Sequence, residues 1–297
     1  MWTGQLPEKL ASVTALAFAP DGFTLYTGDT KGWILAWNLA TREPRELFRV
    51  PVPDYGNRGV YKLWPTPDGS RLLVPELQGL FDAFRPAAGP LLTTGESGWG
   101  HWRYLFPDGK RVITCEPEWR VGLWNLETDK RLKVPGPLGN ATAITSYELL
   151  PDGVTLLTYQ TSGNQLTLWN FPTGEKVGEL TPTGSGINPS TLSKDGTTFA
   201  VGRRGKLWVY DVPSRQLRHQ MKFEKDFRFL AFQPNSALLA SASTNSVVTI
   251  WDTTAGQRVK QLDWKIGQIK SLLYAPDGLT CAVGGFEKFV VFDVDME

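Results

Sequence analysis

The sequence predicts an all-β fold of seven consecutive four-stranded antiparallel units, and three observations predict it. A Pro-Asp-Gly turn recurs along the chain, an aromatic residue follows each turn at a nearly constant distance, and the segments between them alternate between apolar and polar runs of strand length. Apolar residues spaced for one face of a helix are not found over any convincing length.

The turn occurs at Pro20-Asp21-Gly22, Pro67-Asp68-Gly69, Pro107-Asp108-Gly109, Pro151-Asp152-Gly153 and Pro276-Asp277-Gly278. Two weaker copies, Lys194-Asp195-Gly196 and Pro234-Asn235-Ser236, fill the gaps, and the steps between middle residues are 47, 40, 44, 43, 40 and 42. Proline presets φ for the first central position of a type I turn, aspartate caps the backbone beyond it, and glycine takes the left-handed position that closes a tight hairpin. The aromatic follows 15 to 17 residues later, at Trp37, Phe84, Trp124, Trp169, Tyr210, Trp251 and Phe292. In six of the seven the next residue is Asn or Asp; Phe84, followed by Arg85, is the exception.

The elements follow in order. An apolar strand a ("SVTALAF") precedes the turn, strand b ("TLYTG") follows it, and strand c ("WILAWN") carries the aromatic. A second turn leads to a more polar strand d, such as "TGEKVGEL" or "AGQRVKQL". Four antiparallel strands per ~40–45 residues is the period of a propeller blade. The last unit ends after strand c, and the distance from Asp277 through the termini to Asp21 is 41 residues, one repeat. "TGQLPEKL" at Thr3 to Leu10 matches "TGEKVGEL" at Thr173 to Leu180 in pattern, so residues 1–11 are expected to supply the outer strand of blade 7. The expected fold is a single seven-bladed β-propeller over residues 1–297, its ring closed by that N-terminal strand. Such closure removes free sheet edges.

Bulk properties narrow the function classes. With 31 basic and 30 acidic residues the net charge is +1, which gives no electrostatic case for nucleic acid or an anionic membrane surface. No apolar stretch approaches the ~20 residues that span a bilayer, and no basic segment followed by an apolar run marks a signal peptide. Cys115 and Cys281 both fall in apolar runs, too few for a disulfide framework and spaced for no metal knuckle. A reducing, cytoplasmic setting and a monomer are expected.

The units "FAPDG…TLYTGDTKGWILAWN", "LLPDG…TLLTYQTSGNQLTLWN" and "FQPNS…LLASASTNSVVTIWD" resemble the WD-repeat β-propeller family across nearly the whole chain. Members of that family often join a Gly-His pair before strand a, a loop Asp between b and c, a Ser or Thr on b and the Trp on c in a buried network. Here Gly100-His101 is the one such pair and Asp29 the one clear loop Asp; the matching places hold Glu76, Glu116, Thr161, Arg203, Ser243 and Gly285. The resemblance is to degenerate members, whose blades are expected to depend more on apolar packing. It implies a propeller fold, and such propellers host many unrelated roles.

No catalytic constellation stands out: there is no His-Glu-x-x-His, Walker loop, Gly-x-Ser-x-Gly or Cys-x-x-Cys, and no cofactor or metal is expected. The row of turn aspartates reads as turn chemistry. What remains is surface, on the rim where the d–a and b–c loops emerge. Its loops carry Tyr55 and Arg58 ("PVPDYGNRG"), Trp99 and His101 ("GESGWGHW"), Trp119 and Arg120 ("EPEWRV"), Arg203 and Arg204 ("GRRG"), and Trp264 with Lys265. Exposed Trp, Tyr and Arg anchor interfaces because they bury large rigid area and keep a polar handle. The expected function is a non-catalytic scaffold that binds a protein or peptide on this rim. An aromatic cage for a methylated cation, from Trp99, Trp119, Tyr55 and Glu116, is a lesser reading. The alternative class is a propeller enzyme of hydrolase or lactonase type at the mouth of the central channel, drawing on Glu76, Glu116 and one histidine.

Overall fold

A computed structural model of the protein describes residues 1–7, 11–50, 59–75, 79–82, 90–93, 101–141, 143–160, 165–181, 189–203, 205–223, 227–243 and 246–294. The Pro-Asp-Gly turns form as their residues dictate. Asp21 Oδ1 accepts from the amides of Phe23 at 2.8 Å and Thr24 at 3.0 Å, and Asp152 repeats this on Val154 and Thr155 at 2.8 Å each. Gly22 and Gly153 take φ of 71° and 69°, and where the sixth turn lacks glycine Asn235 supplies the left-handed residue at φ 59°. The hydroxyls of Thr66 and Ser70 hold the Asp68 carboxyl down to about 2.

These turns fold the described residues into seven four-stranded antiparallel sheets, an all-β propeller of four-stranded blades. Sheet 1 is β2–β5 (Val13–Phe18, Thr24–Asp29, Trp33–Asn38, Pro44–Arg49) and sheet 2 is β6–β9 (Trp64–Pro65, Arg71–Val74, Gly79–Asp82, Pro90–Thr93). Sheet 3 is β10–β13 (His101–Leu105, Arg111–Cys115, Val121–Asn125, Lys130–Leu132), and sheet 4 is β14–β17 (Ile144–Leu149, Thr155–Gln160, Gln165–Asn170, Glu175–Leu180). Sheet 5 is β18–β21 (Ser190–Leu192, Thr198–Arg203, Lys206–Asp211, Gln216–Lys222), and sheet 6 is β22–β25 (Phe227–Phe232, Leu238–Ser243, Val247–Asp252, Gln257–Asp263). Sheet 7 runs β26–β27–β28 (Ser271–Tyr274, Thr280–Gly284, Lys288–Asp293) and then β1 (Trp2–Gln5), which pairs antiparallel with β28.

The core lies between sheets. Each apolar cluster bridges two sheets: Ala15, Ile34 and Leu47 of sheet 1 meet Val60 and Leu72 beside sheet 2, and Leu73 meets Val112 of sheet 3. Sheets 3 to 7 are joined likewise in succession. A further cluster joins Ala282, Phe289 and Val291 of sheet 7 to Val13, Leu25 and Trp37 of sheet 1. Cys115 and Cys281 are free, buried thiols, and burial pushes the Cys281 thiol up. Among the described residues no helix is long and apolar enough to cross a membrane.

Two expectations need correction in register. The outer strand of sheet 7 is Trp2–Gln5, with Trp2 opposite Val291 and Gly4 opposite Phe289. In sheet 4, Leu166 at the place of Phe289 faces Leu180, so Gly4 corresponds to Leu180 and the match of Thr3 to Thr173 is out by six residues. Gly174 is a turn glycine at φ 71°, whereas Gly4 sits inside a strand because a Cβ there would lie 2.2 Å from the Phe289 ring. In sheet 2 the repeat aromatic is Phe81, opposite Leu72, followed by Asp82 opposite Arg71. Its b and c strands are four residues long rather than six, which moves the pair three residues ahead of Phe84, a residue outside those described. An aromatic followed by Asn or Asp therefore holds in all seven sheets.

Part of the family network survives in three sheets. The Nε1 of Trp37 donates to Thr27 Oγ1 at 3.0 Å, Trp169 to Thr158 Oγ1 at 2.8 Å and Trp251 to Ser241 Oγ at 2.8 Å. In sheet 3 the buried Thr114 hydroxyl finds no partner among the described residues, and Trp124 is only half-buried.

Candidate functional site

The b–c connection of sheet 3 is the best-defined feature on the rim that carries the b–c and d–a loops. Strand β11 ends at Cys115, and a short turn at Pro117–Trp119, kinked at Glu118, leads into β12. Glu118 and Trp119 both take φ of 61°, a left-handed conformation that costs side-chain-bearing residues on the order of 1 kcal/mol each. Hydrogen bonds hold the turn there. Glu116 N donates to Arg120 O at 2.9 Å, and Ala143 N, from the connection to sheet 4, donates to Trp119 O at 3.2 Å.

The side chains brace the same loop. Arg131 on β13 grips Glu116 with Nε to Oε1 at 2.8 Å and Nη2 to Oε2 at 2.6 Å, a bidentate pair that raises the Arg131 pKa. Gly122 leaves room for it, because a Cβ would stand 2.4 Å from Glu116 Oε1. Arg120 pairs with Glu118 at 2.6 Å, both exposed, so this bridge adds little on its own. The result is Trp119 at 58% exposure on a pinned turn.

The other off-repeat tryptophans that are described behave differently. Trp2 packs 5.3 Å from Phe289 and 6.0 Å from Trp37, Trp208 is buried with its Nε1 on Gln220 Oε1, and Trp33 and Trp64 are half-buried. Trp264 lies 4.4 Å from Phe292 between sheets 6 and 7, a half-buried lid on that core rather than a free anchor. Lys265 beside it is exposed and pairs with Asp263, which it holds down to about 2.

Of the remaining sequence candidates, Tyr55, Arg58, Trp99 and Arg204 lie outside the described residues. His101 opens β10 opposite Cys115; its side chain is not among those described. Arg203 ends β19 and lines a cavity between the first strands of the sheets. The candidates thus sit on loops of sheets 3, 5 and 6 rather than in one described patch. Glu116, a member of both the cage and the enzyme readings, is committed to Arg131. Among the described residues no group of three or more His, Cys, Asp or Glu could hold a metal ion. His219 Nε2 bonds Thr254 O at 2.8 Å and ties strand d of sheet 5 to sheet 6.

Sequence reasoning missed that cavity. It measures about 1110 Å³ and is lined by β6, β10, β14, β18 and β22, with Lys62, Arg103, Glu148, Arg203 and Arg228 on its wall. A smaller space of about 400 Å³ touches β2 and β26 as well. The signal was a charged residue inside apolar strand a, as in "FRFLAF" and "WRYLF".

Comparison with known proteins agrees with the repeat. The model of the WD domain, G-beta repeat matches residues 216–252, which run from strand d of sheet 5 through strands a, b and c of sheet 6. The human angio-associated migratory cell protein is 25% identical over 304 residues, covering 95% of this chain and 68% of that protein. The Drosophila simulans eukaryotic translation initiation factor 3 subunit I is 29% identical over 180 residues, covering 55% of this chain and 54% of the relative. The human apoptotic protease-activating factor 1 is 24% identical over 203 residues, 63% of this chain but 16% of that protein. The chain is thus similar to WD-repeat proteins, and the matched repeat coincides with one period of the fold.

Proposed function

We propose that this WD-repeat propeller is a non-catalytic scaffold that binds a protein or peptide partner on the rim of its b–c and d–a loops, with Trp119 as an anchor. The observation that carries the reading is an exposed indole on a turn held rigid by the Glu116–Arg131 pair and by Ala143. A preformed aromatic loses little conformational freedom on binding, the character of an interface hot spot. Arg120 borders it, and Tyr55, Arg58, Trp99, His101, Arg204 and Lys265 are the further contacts proposed around the rim. Relatives that include a translation initiation factor subunit support a role in assemblies.

The reading takes residues 1–297 as one seven-bladed ring closed by β1, working as a monomer in the cytoplasm. The β1–β28 pairing and the cluster between sheets 7 and 1 support closure. The test is affinity capture with the intact chain, Trp119→Ala and Phe23→Ala, where Phe23 is 70% exposed in a turn on the opposite rim. Trp119→Ala is expected to weaken a partner that the other two retain by ~2 kcal/mol, about 30-fold. Its melting is expected to stay within ~0.5 kcal/mol of the intact chain. Equal capture by all three would refute the rim anchor. Hydrolytic or lactonase activity lost on Glu116→Gln would favour the enzyme reading instead.

A further inference from the structure

We propose that the cavity enclosed by the first strands of the sheets is a binding site for a small polyvalent oxyanion, held by Lys62, Arg103, Arg203 and Arg228. The four cations reach its wall from three different first strands or their approaches and from the end of β19. Against them the described residues of the wall include one carboxyl, Glu148 on β14. Burial pushes that carboxyl up to about 7, opposed by the charge of Lys62, so at neutral pH it is ionised only part of the time. The described residues of the wall therefore carry more cations than carboxyls, in a chain whose overall charge is only +1.

Arg103 sharpens the case. Its Nε–H is shut off from solvent and meets no acceptor. Buried donors are nearly always paired, so this orphaned one leaves the Arg103 side chain, which lines the cavity, uncommitted at that atom to any acceptor of the protein. Neither Arg103 nor Arg228 has an ion pair among the described residues. Guanidinium groups present a planar fork of donors that matches paired oxyanion oxygens. A volume of about 1110 Å³ admits a ligand the size of a nucleotide or a smaller polyanion, and the enclosure by five strands disfavours a folded protein surface. This site lies in the channel and not on the rim, so it stands or falls apart from the scaffold reading.

The test is calorimetry on the full chain with pyrophosphate. The intact protein is expected to bind one equivalent, and Arg103→Gln and Arg228→Gln each to weaken binding at least tenfold. Lys110→Gln, exposed beside the third Pro-Asp-Gly turn and paired with Glu127, is expected to change nothing. Melting curves report whether each variant folds. Arg228 is exposed on the cavity wall, so its variant carries the test if Arg103→Gln does not fold.

A second arm uses ethane-1,2-disulfonate, whose charge is fixed from pH 6 to 8. Ionised Glu148 repels an anion, so affinity is expected to fall as pH rises through about 7, and Glu148→Gln to flatten the profile. The other charged groups on that wall are Lys62, Arg103, Arg203 and Arg228, and burial pushes the hydroxyls of Tyr104 and Tyr147 up, that of Tyr104 to about 12. No binding of either anion by the intact chain, or binding that survives both arginine substitutions, overturns the proposal. So does affinity that rises with pH.

Discussion

Gly4→Ala tests how the N-terminal strand is seated. Gly4 faces Phe289 across the β1–β28 ladder, and an added Cβ would lie 2.2 and 2.4 Å from two ring carbons. Ordinary contact needs about 3.4 Å or more, so the ring must retreat by roughly 1 Å. It has nowhere to go: Phe289 is 0% exposed, with Trp37 at 4.9 Å and Trp2 at 5.3 Å. Overpacking of this kind costs ~1–3 kcal/mol. At roughly 2 °C per kcal/mol for a chain of this size, the melting temperature is expected to fall by ~2–6 °C. If β1 instead lifts away, the amides of β28 that pair with it lose protection from hydrogen exchange while those facing β27 keep it. The double variant Gly4→Ala/Phe289→Leu is expected to recover part of the loss, because the clash is shared by the two residues. A Gly4→Ala protein that melts and exchanges like the intact chain would refute the seating described here.

Two further outcomes follow from the same physics. Trp251→Phe leaves the buried Ser241 hydroxyl without its indole partner and is expected to cost ~1–3 kcal/mol, measured by denaturant unfolding, whereas Trp124→Phe loses no such bond and is expected to cost less. Glu148 has a folded pKa raised from 4.5 to about 7, so its contribution to stability is fully present below the unfolded value and declines as pH rises from 4.5 through 7. The decline relative to Glu148→Gln is expected to be no more than ~3 kcal/mol, and a difference that grows as pH falls would contradict it.

The period of the fold was legible because the turn chemistry is strong and local: Pro-Asp-Gly sets the hairpin whatever surrounds it. Register was less legible. Phe84 looked like the repeat aromatic because the spacing from Asp68 fits, yet two short strands place Phe81 there. Thr3 to Leu10 looked like strand d because its polar pattern repeats, but the fit of Gly4 over Phe289 decides the pairing, and that contact spans the whole chain. The surviving Trp–hydroxyl bonds were discounted because the rest of the family network is missing. On the rim, composition marked Trp119 and Trp264 alike; packing separates them, since Trp264 finds Phe292 and Trp119 finds no ring among the described residues. The channel cations were invisible as a group, because Lys62, Arg103, Arg203 and Arg228 are scattered over four sheets.

The most direct test of the scaffold reading is hydroxyl-radical footprinting of the chain alone and with its captured partner. Trp119 and Phe23 are both exposed and reactive, and they stand on opposite rims. The account predicts that oxidation of Trp119 falls several-fold in the complex while that of Phe23 is unchanged. Protection of Phe23 with Trp119 left fully reactive would place the partner on the Pro-Asp-Gly rim and contradict it.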